Sequence, residues 1–364
     1  MRSARKTRKA APERRHTWQD ELACPGIVIS CQASLSRNIA GHPFPEMLDA
    51  DGRRKIRDEF FARLANSHLP GWTTANLDDL DADAKADIVA EGLCSPELAA
   101  VEGGGLAQLR QEPANPAHED VALFVNEDDH LRFRCELFGC DLAEAYERVS
   151  AAESSLDGTV ADYAFDPTFG YLTADPGHLG TGLHVGMALH LAGLRAAGDL
   201  DKVFRAMERL GMTIREMSGE GSVPNQGTIF EFLNTQTLGE DEQGIVERTD
   251  VILHDLAVQE DWARERLMES GSGSGPIEDY LGRAYGVAMH AKRLTEAEAN
   301  ELNRAFIMGT ELGVYDIRRG ASLFVEPRVK IHLPPVEDGK NRAEEDARLR
   351  ADAMRERYAD VQMR

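Results

Sequence analysis

Two rhythms of apolar residues organise the chain. Residues 51–66, DGRRKIRDEFFARLAN, place Ile56, Phe60 and Leu64 at four-residue spacing, which predicts a helix. The unbroken run Ala122-Leu123-Phe124-Val125 predicts a buried strand, and IVIS after Pro25-Gly26 a shorter one, followed by the Gly/Pro-punctuated loop NIAGHPFPEML. Residues 70–117 are polar and turn-rich, with Gly103-Gly104-Gly105 as a flexible point. DLAEAYERVSAAESSL has helical periodicity behind an Asp141 N-cap. The stretch from YAFDP to HLAGL reads as a strand, a Gly/Pro/Asp loop and a helix, and DLDKVFRAMERLGM as a helix with a Gly stop. TIREMSGEGS and GTIFEFLNTQTLG read as two strands joined by a mobile Gly/Ser loop. A long helix from residue 241 ends at SGSGSG, a linker composition, and residues 276–325 read as mostly helical. In the last segment Ala347, Ala351, Met354, Tyr358 and Val361 form a stripe that predicts packing on the body or on a second subunit. Strands and helices without βαβ regularity predict an α+β fold.

Composition adds boundaries. The 364 residues suffice for one large domain or two ordinary ones, and no apolar run approaches the roughly 20 residues of a membrane helix. MRSARKTRKAAPERRH is basic without an apolar region behind it, so residues 1–20 are expected to be a disordered tail and not a secretory signal. Formal net charge is −22; the first sixteen residues hold seven Lys/Arg and one acid, +6, so the remainder carries −28. Such a body repels nucleic acid and attracts basic or arginine-bearing protein surfaces. Five cysteines without a CxxC pair fit reduced thiols in the cytoplasm and no zinc site. His178 and His190 show no metal-ligand spacing either.

Candidate chemistry concentrates in NEDDHLRF, residues 126–133, where an apolar strand delivers Glu127, Asp128, Asp129, His130 and Arg132 together. An acidic turn that merely caps a strand has the same composition. GTGLHVG has glycines at 180, 182 and 186, which is neither G-x-G-x-x-G nor a P-loop, and reads as helix-start geometry.

Taken in order, SRNIAGHPFP, NEDDHLRF, DYAFDPTFGYLTADPGHLGTGL, SGEGS and NTQTLG resemble the motifs of the ATP:guanido phosphotransferases, most of all the bacterial protein-arginine kinases; EDYLGRAYG and GTELGV are similar to that group's helical C-terminal part. The resemblance implies an antiparallel sheet flanked by helices over residues 21–270 and a helical C-terminal domain over 276–364 that serves as a dimerisation surface. It implies in-line transfer of the γ-phosphoryl of Mg²⁺-ATP to a guanidinium, with no permanent cofactor, and a homodimer assisted by a zinc-binding activator protein. The small-metabolite guanidine kinases carry an additional N-terminal helical domain, for which about twenty residues leave no room here. Carboxylates would orient and deprotonate the guanidinium, and arginines would gather phosphate charge.

Residue by residue, the resemblance implies Glu127 and Asp128 as catalytic acids, Asp128 standing one methylene short of the family's glutamate base. Glu220 falls in the loop that closes over substrate, Arg132 and Arg215 fall at phosphate positions, and His130 is either an adenine-side contact or a packed hydrogen-bonding residue. Three other phosphate arginines are replaced by Gln32, Ser34 and His184, where His184 substitutes for charge only when protonated. Arg37 survives as a structural residue, and Asp175 replaces the reactive cysteine. Of the phosphoarginine-binding Arg-Asp-x-x-Arg-Ala motif only Arg342-Ala343 matches. The pattern implies a retained fold with weakened or lost phosphoryl transfer that acts by partner binding or regulation; the alternative is an active protein-arginine kinase.

Overall fold

The structure is a computed structural model that describes residues 17–90, 93–109, 121–217, 227–269, 275–317 and 342–363. Its elements in chain order are β1 (Val28–Arg37), α1 (Ala50–Asn66), β2 (Trp72–Asn76), α2 (Ala82–Ala90), α3 (Pro96–Ala100), β3 (Gly105–Leu109), β4 (Val121–Val125), β5 (Leu131–Phe138) and α4 (Leu142–Leu156). There follow β6 (Phe165–Asp166), β7 (Gly170–Tyr171), β8 (Leu183–His190), α5 (Ala192–Ala197), α6 (Leu200–Arg209), β9 (Met212–Glu216), β10 (Ile229–Asn234) and α7 (Glu242–Glu269). The C-terminal part contains α8 (Gly275–His290), α9 (Glu296–Glu311), β11 (Tyr315–Ile317), α10 (Arg342–Arg357) and β12 (Val361–Met363).

Eight strands form one antiparallel sheet in the order β2-β3-β4-β5-β1-β8-β10-β9. The fold is thus α+β, as the sequence pattern predicts. Alternation along β1 makes the sheet two-faced: Cys31, Ala33 and Leu35 enter the core, and Ser30, Gln32, Ser34 and Ser36 take the other side. Helices α4 and α7 cover the apolar face through Leu142, Ala145, Val149, Leu253 and Leu256, and α1 adds the predicted Ile56, Phe60 and Leu64. Asp141 accepts the Glu144 N–H at 3.0 Å, the predicted cap of α4. A second apolar cluster unites α8, α9 and α10, and there Ala351, Met354, Tyr358 and Val361 are buried against the body of the same chain. Among the described residues no helix is long and apolar enough to cross a membrane.

Four sequence expectations need correction. The strand begun at IVIS runs on to Arg37, because its polar side chains are satisfied on the far face of the sheet. The region 70–109 holds β2, α2, α3 and β3 in addition to turns. Gly103 is no flexible point: it has φ +82°, and a Cβ there would come within 2.9 Å of the Arg54 backbone nitrogen, so the glycine lets α1 pack closely. Finally, Leu183–His190 is a central strand and not a helix; helix α5 begins only at Ala192. The residue 1–16 tail, most of the SGSGSG segment and residues 338–341 of the Arg342 motif lie outside the described residues.

Candidate functional site

The turn between β4 and β5 divides its residues between structure and cleft. Asn126 adopts φ +62°, a left-handed conformation that asparagine tolerates, and its N–H donates to the His130 carbonyl at 3.0 Å to close the turn. Its side-chain amide donates to the carbonyls of Arg53 (2.8 Å) and Gly103 (2.9 Å). Asp129 is buried and accepts from Asn38 Nδ2 (2.6 Å) and the Ala174 N–H (2.7 Å), which ties the turn to β1 and to the loop before β8. His130 is buried too; its Nδ1 accepts the Ile39 N–H at 3.2 Å, and burial, with His42 nearby, lowers its pKa to about 4. It is therefore a packed hydrogen-bonding residue.

Glu127 and Asp128 point the other way. They line an open cleft of about 580 Å³ together with Glu46, Glu102 and Asp175. Arg53, the one arginine among the described residues lining the cleft, is directed at the carbonyls of Glu102 (2.8 Å) and Leu48 (2.8 Å). Burial raises the Asp128 carboxyl above the usual carboxylate range, the Glu127 charge adds to this, and Arg132 opposes it. Asp175 caps the turn Pro176–His178 by accepting the Gly177 N–H at 2.7 Å.

Beside the cleft, the polar face of the sheet brings most of the predicted phosphate positions together. Cross-strand register pairs Ser34 with His184 and with Arg134, and Gln32 with Gly186 and with Glu136. A chain of contacts crosses five strands. Ser30 Oγ donates to Glu136 (2.9 Å); Arg134 donates Nη2–H to Glu136 (3.0 Å) and Nε–H to Gln32 Oε1 (3.0 Å). Gln32 Nε2 donates to Glu231 (2.6 Å), whose other oxygen is 2.6 Å from Arg215 Nη2. Arg132 is paired with Glu127 at 2.9 Å, and the Ser95 hydroxyl binds the same carboxylate. Arg132 and Arg215 thus each have an internal counter-ion. Arg134, Glu136 and Glu231 were missed in the sequence, although Arg132-x-Arg134-x-Glu136 at alternate strand positions puts all three on one face.

His184 cannot supply the missing charge near neutral pH. Asn234 O, 3.0 Å from Nδ1, can only accept, so Nδ1 carries the hydrogen and Nε2 is bare and without a hydrogen-bond partner. Burial, then the charges of His178 and Arg132, lower its pKa to about 4. Acidification from pH 8 to pH 6 is therefore expected to leave His184 neutral, with an NMR titration midpoint near 4. His184→Arg is expected to raise Mg²⁺-nucleotide affinity where lowering the pH does not, as checked by calorimetry. Arg37 is structural as expected: fully buried, it donates to Glu153 (2.7 Å) and Thr181 O (2.8 Å) and lies 3.4 Å from the Tyr171 ring centroid. Glu220 lies outside the described residues, and the Arg342 side chain is likewise not described. Cys31 is buried, with its thiol pKa raised by burial, and is inert on that account. Among the described residues no group of three His, Cys, Asp or Glu side chains could hold a metal ion.

Comparison with known proteins places the chain in a family. The profile of the ATP:guanido phosphotransferase C-terminal catalytic domain matches residues 55–263. A protein-arginine kinase of Moorella thermoacetica is 34% identical over 307 residues, 83% of this chain and 85% of that protein. One from Halalkalibacterium halodurans is 32% identical over 290 residues, 79% of each chain. Among solved structures, a lombricine kinase superposes with TM-score 0.54 at 20% identity, covering 66% of this chain and 67% of that one. A duplicated taurocyamine kinase from Schistosoma mansoni gives 0.56 at 20% identity over 71% of this chain and 37% of that one. The profile match over residues 55–263 and the relatives at 32–34% identity make the chain a member of the ATP:guanido phosphotransferase family, with protein-arginine kinases among its relatives.

Proposed function

We propose that this protein binds arginine-bearing protein segments at its acidic cleft and transfers phosphoryl groups weakly or not at all. The observation that carries the reading is the charge state of the nucleotide side. Gln32 and Ser34 carry no charge, His184 is uncharged near neutral pH, and Arg132 and Arg215 each share their charge with a carboxylate, Glu127 and Glu231. Mg²⁺-ATP needs several cations for its phosphates, and each charge-assisted contact contributes roughly 1.5–3 kcal/mol. Three absent arginines weaken nucleotide or transition-state binding by on the order of 5 kcal/mol, non-additively. The acceptor side keeps its character: Glu46, Glu102, Asp128 and Asp175 face a cleft in which Glu127 is held by Arg132 and Ser95, and in which Arg53, the one arginine among the described lining residues, is turned onto carbonyls. A planar guanidinium with five donors suits such a wall of acceptors.

One observation favours the second reading, an active protein-arginine kinase. The raised pKa of Asp128 makes it a better proton acceptor than an ordinary aspartate, and Arg132 stands beside it. Calorimetric titration with an arginine-containing peptide and its lysine counterpart, together with a transfer assay using labelled Mg²⁺-ATP, separates the two. The expected result is binding of the arginine peptide, loss of that binding in Asp128→Asn, and no acid-labile label on the peptide. Label that appears on arginine and vanishes in Asp128→Asn would establish the kinase. Absence of peptide binding would remove the proposed reading.

A further inference from the structure

We propose that Arg134 supplies, from strand β5, the phosphate-binding guanidinium that strand β1 lacks at Gln32 and Ser34. The inference rests on the reading of this sheet face as the phosphate side of the site. It adds a residue to that side and predicts residual binding of oligophosphates, the di- or triphosphate of a nucleotide or inorganic pyrophosphate.

The argument begins with register. Arg134 is directly across from Ser34 on β1, and Glu136 across from Gln32. Arg134 alternates with Arg132 on the same face of β5, so their Cβ atoms are about two strand rises apart, roughly 6.6 Å. Two guanidinium groups at that spacing can serve one oligophosphate. The side chain leans from β5 over β1, because its Nε–H donates to Gln32 Oε1 at 3.0 Å. The guanidinium therefore stands above the strand on which side chains 32 and 34 are neutral.

The group is both positioned and available. Gln32 is fixed from two sides, accepting from Arg134 and donating to Glu231 at 2.6 Å, which defines which end of its amide faces the arginine. Glu136 holds Nη2 at 3.0 Å and is itself held by Ser30 at 2.9 Å. These contacts use two of the five N–H donors of a guanidinium, leaving three for a ligand. Arg132, at a phosphate position that the family retains, is held in the same manner by one carboxylate. A charge moved by one strand, together with a neutral residue at its former place, keeps a cation over β1 while altering the angle from which it meets a phosphate. Such a shift fits binding that survives while in-line transfer suffers, because transfer tolerates about 1 Å of misplacement poorly.

The test is calorimetric titration of the full chain with Mg²⁺-ADP and, separately, with pyrophosphate. Wild type, Arg134→Gln and the exchanged double variant Gln32→Arg/Arg134→Gln are compared, with thermal unfolding confirming that each is folded. Arg134→Gln is expected to weaken binding by about tenfold or more, the size of one charge-assisted contact. The double variant is expected to recover most of that loss, since it returns the guanidinium to β1. Wild-type affinity in Arg134→Gln would overturn the inference, and so would absence of binding by wild type at millimolar ligand. If Arg134→Gln fails to fold, a double variant that folds and binds as wild type supports the inference, and one that folds without binding overturns it. Arginine-peptide binding, measured in the same samples, reports on the acidic cleft independently, so its loss in wild type would count against the proposed function and leave the Arg134 result standing.

Discussion

Arg264→Ala is expected to lower the free energy of unfolding by about 3–5 kcal/mol at neutral pH, the effect of breaking a buried ion pair from one side. Arg264 and Glu260 are both completely buried and joined at 2.7 Å within α7. The arginine also donates to the His190 carbonyl at 2.9 Å, at the end of β8, and lies 3.7 Å from Glu311 of α9. Glu260 in turn accepts the Gly193 and Leu194 N–H groups at 2.7 and 2.8 Å, satisfying the start of α5. The pair is thus the polar joint where the sheet meets the C-terminal helices. Burial already raises the Glu260 pKa, and the Arg264 charge is the leading influence holding it down. Without the arginine, the folded-state pKa rises further above the unfolded value. A raised folded pKa adds stability that is complete below the unfolded value and is lost as pH climbs through the folded one. Arg264→Ala should therefore be less destabilised at pH 5 than at pH 8, as measured by urea unfolding. Glu260→Gln in the same background is expected to recover part of the loss at pH 8, because it removes the stranded charge while the glutamine oxygen still accepts one of the two N–H groups. Equal destabilisation at both pH values would mean that lost packing, not the stranded carboxylate, sets the magnitude.

Gly186→Ala is the second large effect. Gly186 lies in mid-strand β8 between Gln32 and Leu233. A Cβ there would fall 2.8 Å from the Phe232 carbonyl carbon and closer still to its oxygen, and 2.9 Å from Leu233 Cδ2. The obstacle is backbone of the neighbouring strand, which cannot yield without opening the β8–β10 ladder. The expected loss exceeds the roughly 1–3 kcal/mol of ordinary overpacking. It should appear as a sharply lowered unfolding midpoint or as insoluble protein. The same absence of a side chain lets Gln32 and Glu231 meet across β8, so any folded Gly186→Ala protein should also lose that contact. A variant with wild-type stability would show that β10 has slack that its register does not suggest.

These two positions also show how far the sequence could be read. Helices α1, α4 and α7 and strands β4, β9 and β10 followed from spacing and caps, because each has one wet and one dry side or a distinct run length. Strand β8 did not. LHVGMALH is buried along nearly its whole length, and a continuous apolar run has no period by which to tell strand from helix. The motif Gly180-Thr181-Gly182 drew attention to helix geometry where the chain in fact enters the middle of the sheet. At the site, sequence order located Glu127, Asp128, Arg132, Arg215 and His184, but their meaning depended on partners far along the chain. The Gln32–Glu231 contact joins residues 199 positions apart, and the His184 proton is governed by burial that no local pattern reveals. Arg134 was visible as strand alternation once Arg132 had been placed on a strand.

The two-faced sheet has an evolutionary consequence. Packing and polar contacts share strands but not positions: Cys31, Ala33 and Leu35 carry the packing of β1, while Gln32 and Ser34 lie on the other side, where the proposed phosphate contacts would be made. Substitutions that exchange one exposed polar side chain for another on the wet side weigh little on folding, and those on the dry side weigh heavily on it. A lineage released from selection for catalysis can therefore exchange its charged residues one strand position at a time while the scaffold stays under full constraint. Exchange of that kind would alter charge at alternate positions over an apolar face that still packs.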